Sequence, residues 1–354
     1  MLNFLSKNLN AFGLDLSGSS FKIMQFKANG KELKLQGYND AALPKGLVVG
    51  DVITDAKTFG FLLKQAMDKP QFGKFDTKCV VASLPESKSF VRVIQIPKMS
   101  ESEAENAVPY EAENFIPMPI DQVYLDWQKI GDSGDKMNVL MIASPKEFAD
   151  KYLDILDKVG LKTAALEVES QSCHRALINP SLGETVLLVD IADFRTSLIM
   201  VEDGNLQFTS TIPIAGDTLT ESIARALGVS GAKAEEIKRK VGIANTAEYP
   251  NIKTALLPVL NNLSAEIKNI LKFHSEHSQK EVTKVLLVGG SSRLKNLAEF
   301  LGPQLSESGI LQVLLGDPWQ VLPGFKTPPL DALLSLGFVT AIGLAARGVN
   351  LGVS

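Results

Sequence analysis

Two stretches of the chain run through the same succession of apolar and polar positions. One is GLDLSGSSFKIMQFKANGKELKLQGY, residues 13–38, and the other is LLVDIADFRTSLIMVEDGNLQFTSTIPIAGD, residues 187–217. Each opens on an apolar strand ending in an acid, Asp15 or Asp190, followed by a short polar turn and a second apolar strand. Asn29-Gly30 and Asp203-Gly204 then favour the positive-φ geometry of a tight hairpin, and a third strand completes each meander. The recurrence in both halves of the chain predicts a duplicated α/β domain with a cleft between the copies.

The pattern between the copies is different. Phe90–Ile96 alternates as a strand, and Ser100-Glu101-Ser102-Glu103 is a capping box opening a helix toward Phe115. Pro109 should kink or split that helix, and Ile116-Pro117-Met118-Pro119 stops it. Val123–Ile130 and Met137–Ala143 read as a hairpin across residues 131–134, and a second amphipathic helix carries Phe148, Tyr152, Ile155 and Leu156 on one face. Phe115, Tyr124 and Trp127 read as core aromatics. Farther on, the apolar run Val285–Val288 meets Gly289-Gly290-Ser291-Ser292 and then a helical pattern through Leu294, Leu297, Phe300 and Leu301. The weakly charged run from Ala332 to Ala346 is too short to cross a bilayer and reads as a buried helix.

Candidate chemistry gathers at the turns. Ser17, Gly18, Ser19 and Ser20 can aim backbone amides and hydroxyls at a phosphate. Asp15 and Asp190 can hold a hydrated Mg²⁺ between them, and the Gly289-Gly290 doublet lets backbone approach a flat ligand. The dinucleotide fingerprint GxGxxG and the Walker pattern GxxxxGK[ST] are both absent from the sequence.

Composition narrows the classes. At 354 residues two lobes are the natural arrangement, and 45% apolar with 21% charged residues is ordinary for a globular protein. A net charge of -4 argues against a general nucleic-acid binder. Two distant cysteines, Cys79 and Cys173, imply a reducing compartment without a disulfide framework. The first twelve residues are broken by Lys7, Asn8 and Asn10, so no secretory segment is expected.

Three elements, the two acidic strand ends with their turns and the glycine doublet, resemble the phosphate 1, phosphate 2 and adenosine motifs of the actin, sugar kinase and Hsp70 superfamily. Residues 91–128, 137–162, 166–177 and 341–348 narrow the resemblance to the type IV pilus assembly protein PilM family, a relative of the cell-division protein FtsA. The resemblance spans about Phe12 to Gly348 and implies an actin-like ATPase fold with two RNase H-like lobes. Its divisions would be subdomain 1A (1–83, resuming at 161–180), an inserted FtsA-type 1C (84–160), lobe 2 (181–330, with a 2B insertion at about 220–280), and a C-terminal helix (331–354) returning to lobe 1.

Carried over by residue, the resemblance implies that Gly13 to Ser20 cradle the phosphates of ATP or ADP. Asp15 and Asp190 would meet Mg²⁺ through water. Glu167 and Glu169 would be candidates for orienting water or metal, and Gly289, Gly290, Ser291 and Ser292 would face the adenosine. Gly216 and Asp217 would form a nucleotide-adjacent turn, and Gly343 would sit at the hinge. The second phosphate motif departs from the family's D-I-G pattern: Asp190-Ile191-Ala192-Asp193-Phe194-Arg195-Thr196 puts bulk and a second negative charge where small residues are usual. Arg195 would touch phosphate or point to solvent. Binding with slow or absent hydrolysis is therefore expected. The family's partner is the cytoplasmic N-terminal peptide of PilN, which implies a scaffold linking pilus platform and motor proteins, cytoplasmic and peripheral at the inner membrane through its partners. The alternatives are a small-molecule kinase of the same superfamily and an FtsA-like filament protein, although the tail from Gly348 to Ser354 is neither amphipathic nor basic. His274 and His277 read as solvated helix-end residues, and the charge run Glu235–Lys240 as a wet helix face.

Overall fold

The computed structural model describes residues 10–349, so the expectation of no secretory segment and the last residues of the tail lie outside the description. Strands β1 (Phe12–Leu16), β2 (Ser20–Asn29) and β3 (Glu32–Ala42) form an antiparallel meander. A small hairpin follows, β4 (Val48–Val49) with β5 (Val52–Ile53), then helix α1 (Ala56–Asp68). Asp55 caps α1 by accepting from the Lys57 and Thr58 amides at 2.9 and 3.2 Å. The short edge strand β6 (Phe72–Gly73) pairs with β3, and β7 (Cys79–Leu84) lies parallel to β1.

Next come β8 (Phe90–Pro97), α2 (Glu101–Ala112), β9 (Val123–Ser133), β10 (Lys136–Pro145) and α3 (Lys146–Lys158). Strand β11 (Lys162–Val168) then returns to the first sheet, parallel to β7. Helix α4 (Glu169–Leu177) leads to the second meander, β12 (Val186–Ile191), β13 (Thr196–Glu202) and β14 (Asn205–Ile212). Helices α5 (Gly216–Leu227), α6 (Gly231–Val241) and α7 (Ile252–His277) precede β15 (Lys284–Val288), α8 (Leu297–Ser306) and β16 (Gln312–Leu315). Two helices close the described chain, α9 (Ala332–Leu336) and α10 (Val339–Val349).

The duplication is visible in the strand order. One sheet runs β11-β7-β1-β2-β3-β6 and the other begins β16-β15-β12-β13-β14, with β12 parallel to β15 and antiparallel to β13. Each sheet is thus a meander whose first strand carries two parallel strands on its other side. The second sheet continues beyond the duplication: β14 pairs with β8 at Phe208 and Arg92, adding β8, β10 and β9. The inserted segment is therefore joined by strand pairing to lobe 2, a connection that hydrophobic periodicity does not report.

Packing sets where the cleft lies. Helix α10 crosses β1 so closely that a Cβ on Gly13 would stand 2.6 Å from the Ala341 carbonyl oxygen. It also crosses α4, where a Cβ on Gly343 would meet the Ser172 carbonyl oxygen at 2.0 Å. These two glycines allow backbone-to-backbone packing, which leaves Phe12, Leu14, Ile342 and Leu344 fully buried. Burial of each such side chain contributes about 2 kcal/mol.

Several expectations need correcting. Pro109 lies inside α2, which continues past it to Ala112, so it does not split the helix. The β9–β10 strands extend to Ser133 and Lys136, so the connecting turn is shorter than residues 131–134. The run 332–346 is broken at Gly337, which faces the Arg293 guanidinium. Phe115 and Tyr124 are 42% and 41% exposed and are not core. His274 is buried against Glu202 at 2.8 Å, not solvated.

Candidate functional site

The turns at the two acidic strand ends have the same geometry. In β1–β2 the Ser17 amide donates to the Ser20 carbonyl at 2.8 Å; in β12–β13 the Ala192 amide donates to the Arg195 carbonyl at 3.0 Å. Four residues separate the flanking pairs Leu16–Phe21 and Ile191–Thr196. Asp15 and Asp190 consequently occupy matching places, close enough for the charge of Asp15 to bear on Asp190. Burial raises the Asp15 carboxyl to about 6, with Lys22 drawing it down and Glu169 pushing it up. Burial raises Asp190 to about 7, and the charges of Glu169 and Asp15 push the same way. Ser83 Oγ donates to Asp15 at 3.3 Å, and the Cys173 thiol lies 3.8 Å from Asp190. Two carboxylates that resist ionisation side by side form a donor set suited to a cation.

Gly289 closes the floor. It holds φ +87°, and a Cβ there would stand 2.3 Å from Asp190 Oδ1, so only glycine fits. Its amide donates to the Leu336 carbonyl at 2.9 Å. A Cβ on Gly290 would meet nothing within 4 Å, so this residue faces open space. Ser291 Oγ donates to the Ala192 carbonyl at 3.3 Å, and Ser292 Oγ to the Val288 carbonyl. Gly216 lies against Ser291, and the Gly216 and Asp217 amides donate to Ala192 and Asp193 carbonyls at 3.0 and 2.9 Å. The start of α5 therefore ties down the second turn.

Other predicted residues have different settings. Gly13 and Gly343 serve the packing of α10. Thr196 Oγ1 is committed to the Ile214 carbonyl at 2.5 Å. Glu167 is buried and ion-paired with Arg175 and, at 3.2 Å, with Arg347; burial opposes its charge, but the two guanidiniums outweigh burial and hold its carboxyl below the usual range. Its oxygens are taken up by those cations. Glu169 stays in the acidic cluster, but Arg195 Nη2 donates to both of its oxygens at 2.7 and 3.0 Å. Arg195 Nη1 donates to Asp51 at 2.7 Å. The expectation that Arg195 meets phosphate or solvent is thus replaced by a bridge between Asp51 of the β4–β5 turn and the start of α4.

Sequence reasoning passed over three groups. Lys22 pairs with Asp15 across the β1–β2 ladder and is largely buried. Its alternation along β2 was the available signal. Lys238 is buried, donating to the Gly216 carbonyl at 2.8 Å and to Thr220 at 2.9 Å, so the supposedly wet face of α6 is partly inward. Glu235, paired with Lys238 at 2.7 Å, joins Ala232, Glu236, Arg239 and Lys240 of α6 in lining an open concavity of about 570 Å³. Lys295 Nζ donates to the Lys240 carbonyl at 2.8 Å, which fastens α6 to the segment following Gly290. Glu86 is buried and its carboxyl is pushed up to about 7 by burial; it accepts from the Ser170 amide at 3.1 Å.

Among the described residues no helix is long and apolar enough to cross a membrane, and no group of three or more His, Cys, Asp or Glu residues forms a metal cluster. The architecture matches solved structures. A PilM-PilN type IV pilus biogenesis complex is 27% identical, covering 96% of this chain and 98% of that chain with a TM-score of 0.80. MreB5 of Spiroplasma citri bound to ADP matches with a TM-score of 0.53 at 12% identity over 98% of this chain and all of that one, which shows the actin-like fold. The cell division protein FtsA of Streptococcus pneumoniae is 23% identical over 395 aligned positions, 96% of this chain and 83% of FtsA. A sequence model of the type IV pilus assembly protein PilM covers residues 13–349, and the chain belongs to that family.

Proposed function

We propose that this chain is an adenine-nucleotide-binding scaffold of type IV pilus assembly that engages a partner peptide and has little or no turnover of its own. The meeting of Asp15, Asp190 and Gly289 at matching ends of two duplicated sheets carries this reading. The donor set fits ADP or ATP with Mg²⁺: a paired-carboxylate cation site, Lys22 beside it, the small residues of the first turn, and open space at Gly290. Magnesium, when bound, would neutralise phosphate charge and relieve the repulsion between the two acids. Ser17 to Ser20 would hold phosphate, while Gly290 with Glu235 and Arg239 of α6 would receive the nucleoside. Glu169 is held by Arg195, which supports slow or absent hydrolysis, since water activation needs a free acceptor.

Residues 84–160 form the proposed partner-facing subdomain. Tyr110, Phe115 and Tyr124 are exposed there, and β9 is the edge of the long sheet. An apolar extended segment such as the N-terminal peptide of PilN suits that edge by strand addition. Through such a partner the chain would sit at the cytoplasmic face of the inner membrane and connect to motor components. Isothermal titration with Mg·ADP tests the nucleotide reading. Asp15→Ala and Asp190→Ala should each weaken binding at least about tenfold; unchanged affinity in both would defeat it.

A further inference from the structure

The second turn does more than depart from a pattern of small residues. It stands in the gap that the first turn faces. Asp193 accepts a hydrogen bond from Ser19 Oγ across the cleft. The Phe194 ring lies over Gly18, where a Cβ would meet Cε2 at 2.6 Å. The small side chains of the first turn, which would admit phosphate, are thus capped by the second turn of the same molecule.

The turn is also anchored on every side. Its own closure holds it from Ala192 to Arg195, the first amides of α5 grip its carbonyls, and Ser291 bonds the Ala192 carbonyl. Arg195 is clasped by Asp51 and Glu169, with all three side chains less than one fifth exposed. Swinging the turn aside would break this buried bridge.

We propose that Asp193 and Phe194 make the site select a nucleoside diphosphate over the triphosphate. The inference rests on the nucleotide reading above. A chain of phosphates entering toward Asp15 and Asp190 places its terminal group between the two turns, because the acidic strand ends open onto them. Asp193 adds negative charge there, and Phe194 takes up volume. A third phosphate brings one more phosphoryl group and more negative charge into that same gap, so it meets both obstacles more fully than a diphosphate, which carries one group fewer and less charge past them. Selectivity arises here from an element that repels the wrong ligand.

The test is calorimetric titration of the full chain with ADP and with ATP, each in excess magnesium, for wild type and for Asp193→Ser/Phe194→Ser. Wild type should bind ADP at least about tenfold more tightly than ATP. The double variant should bring the two within about threefold, chiefly by tightening ATP. Phe194 is 53% exposed and the Asp193 side chain bonds Ser19 while its backbone bond to Asp217 is untouched by substitution, so neither change opens the core. If the double variant is unstable, Asp193→Asn removes the charge alone and should still recover part of the ATP affinity. Equal wild-type affinities, or a preference that survives these substitutions, overturns the proposal while leaving the nucleotide site intact. Wild type that binds neither nucleotide overturns the site itself and the selectivity with it.

Discussion

The two strand ends at the cleft share one backbone and differ in nearly every side chain. Ser17-Gly18-Ser19-Ser20 answers Ala192-Asp193-Phe194-Arg195 position by position, within turns closed by the same amide-to-carbonyl bond. On the neighbouring strand, Lys22 stands opposite Asp15 where Ser197 stands opposite Asp190. The first copy is therefore small and provided with a cation, whereas the second is bulky and acidic. Duplication preserved the scaffold because hydrogen-bonded turn geometry tolerates many side chains. The asymmetry lies in the side chains alone, since the backbone of the two turns is shared.

Under the strands the comparison is sharper still. Gly13 on β1 matches Leu188 on β12, two residues before each acid. Making the copies alike with Gly13→Leu would drive a side chain into the backbone of α10. It should destabilise the protein by more than about 3 kcal/mol or abolish folding, beyond the usual cost of overpacking, because backbone cannot yield. Urea unfolding or soluble yield measures this; a stable, soluble G13L protein would refute the packing assigned to α10.

Arg195→Ser gives the second turn the residue of the first. It strands Glu169 and Asp51 without their cation and should cost about 2–4 kcal/mol in denaturant unfolding. Loss of less than about 0.5 kcal/mol would show that the bridge is a surface contact.

The two acids differ in titration. Because their folded-state values of about 6 and about 7 lie above the ordinary 3.8, each contributes stability that is full at low pH and lost as pH rises through the folded value. Asp190→Asn, which keeps the neutral form at all pH, should gain on wild type by about 2 kcal/mol between pH 5 and pH 8 in ligand-free protein. Lys22→Ser should move Asp15 upward toward Asp190, read by carboxyl chemical shifts. A pH-independent difference between wild type and D190N would count against the paired-acid cluster.

The smallest effect separates the hairpin glycines. Gly30 and Gly204 both have positive φ, at +66° and +75°, but a Cβ on Gly30 meets open space while one on Gly204 stands 2.7 Å from the Pro180 carbonyl oxygen. Gly30→Ala should cost about 1 kcal/mol, the strain alone. Gly204→Ala should cost more. Equal costs would mean that contact at the second hairpin yields freely.

The sequence by itself determined the duplicated meanders, the acids at their ends, the hairpin dipeptides and the glycine doublet. All of these follow from local alternation and turn chemistry, which a linear pattern records. It also marked the capping box of α2 and the amphipathic face of α3. It did not show that β8 pairs with β14, since strand pairing across more than 100 residues leaves no periodic trace. Only the tertiary structure decided that Gly13 and Gly343 serve helix packing, that Glu167 is spent on two arginines, and that Lys238 turns inward. Those roles depend on which partner lies within a few ångströms, and short-range interactions act on distance in space, not on position along the chain.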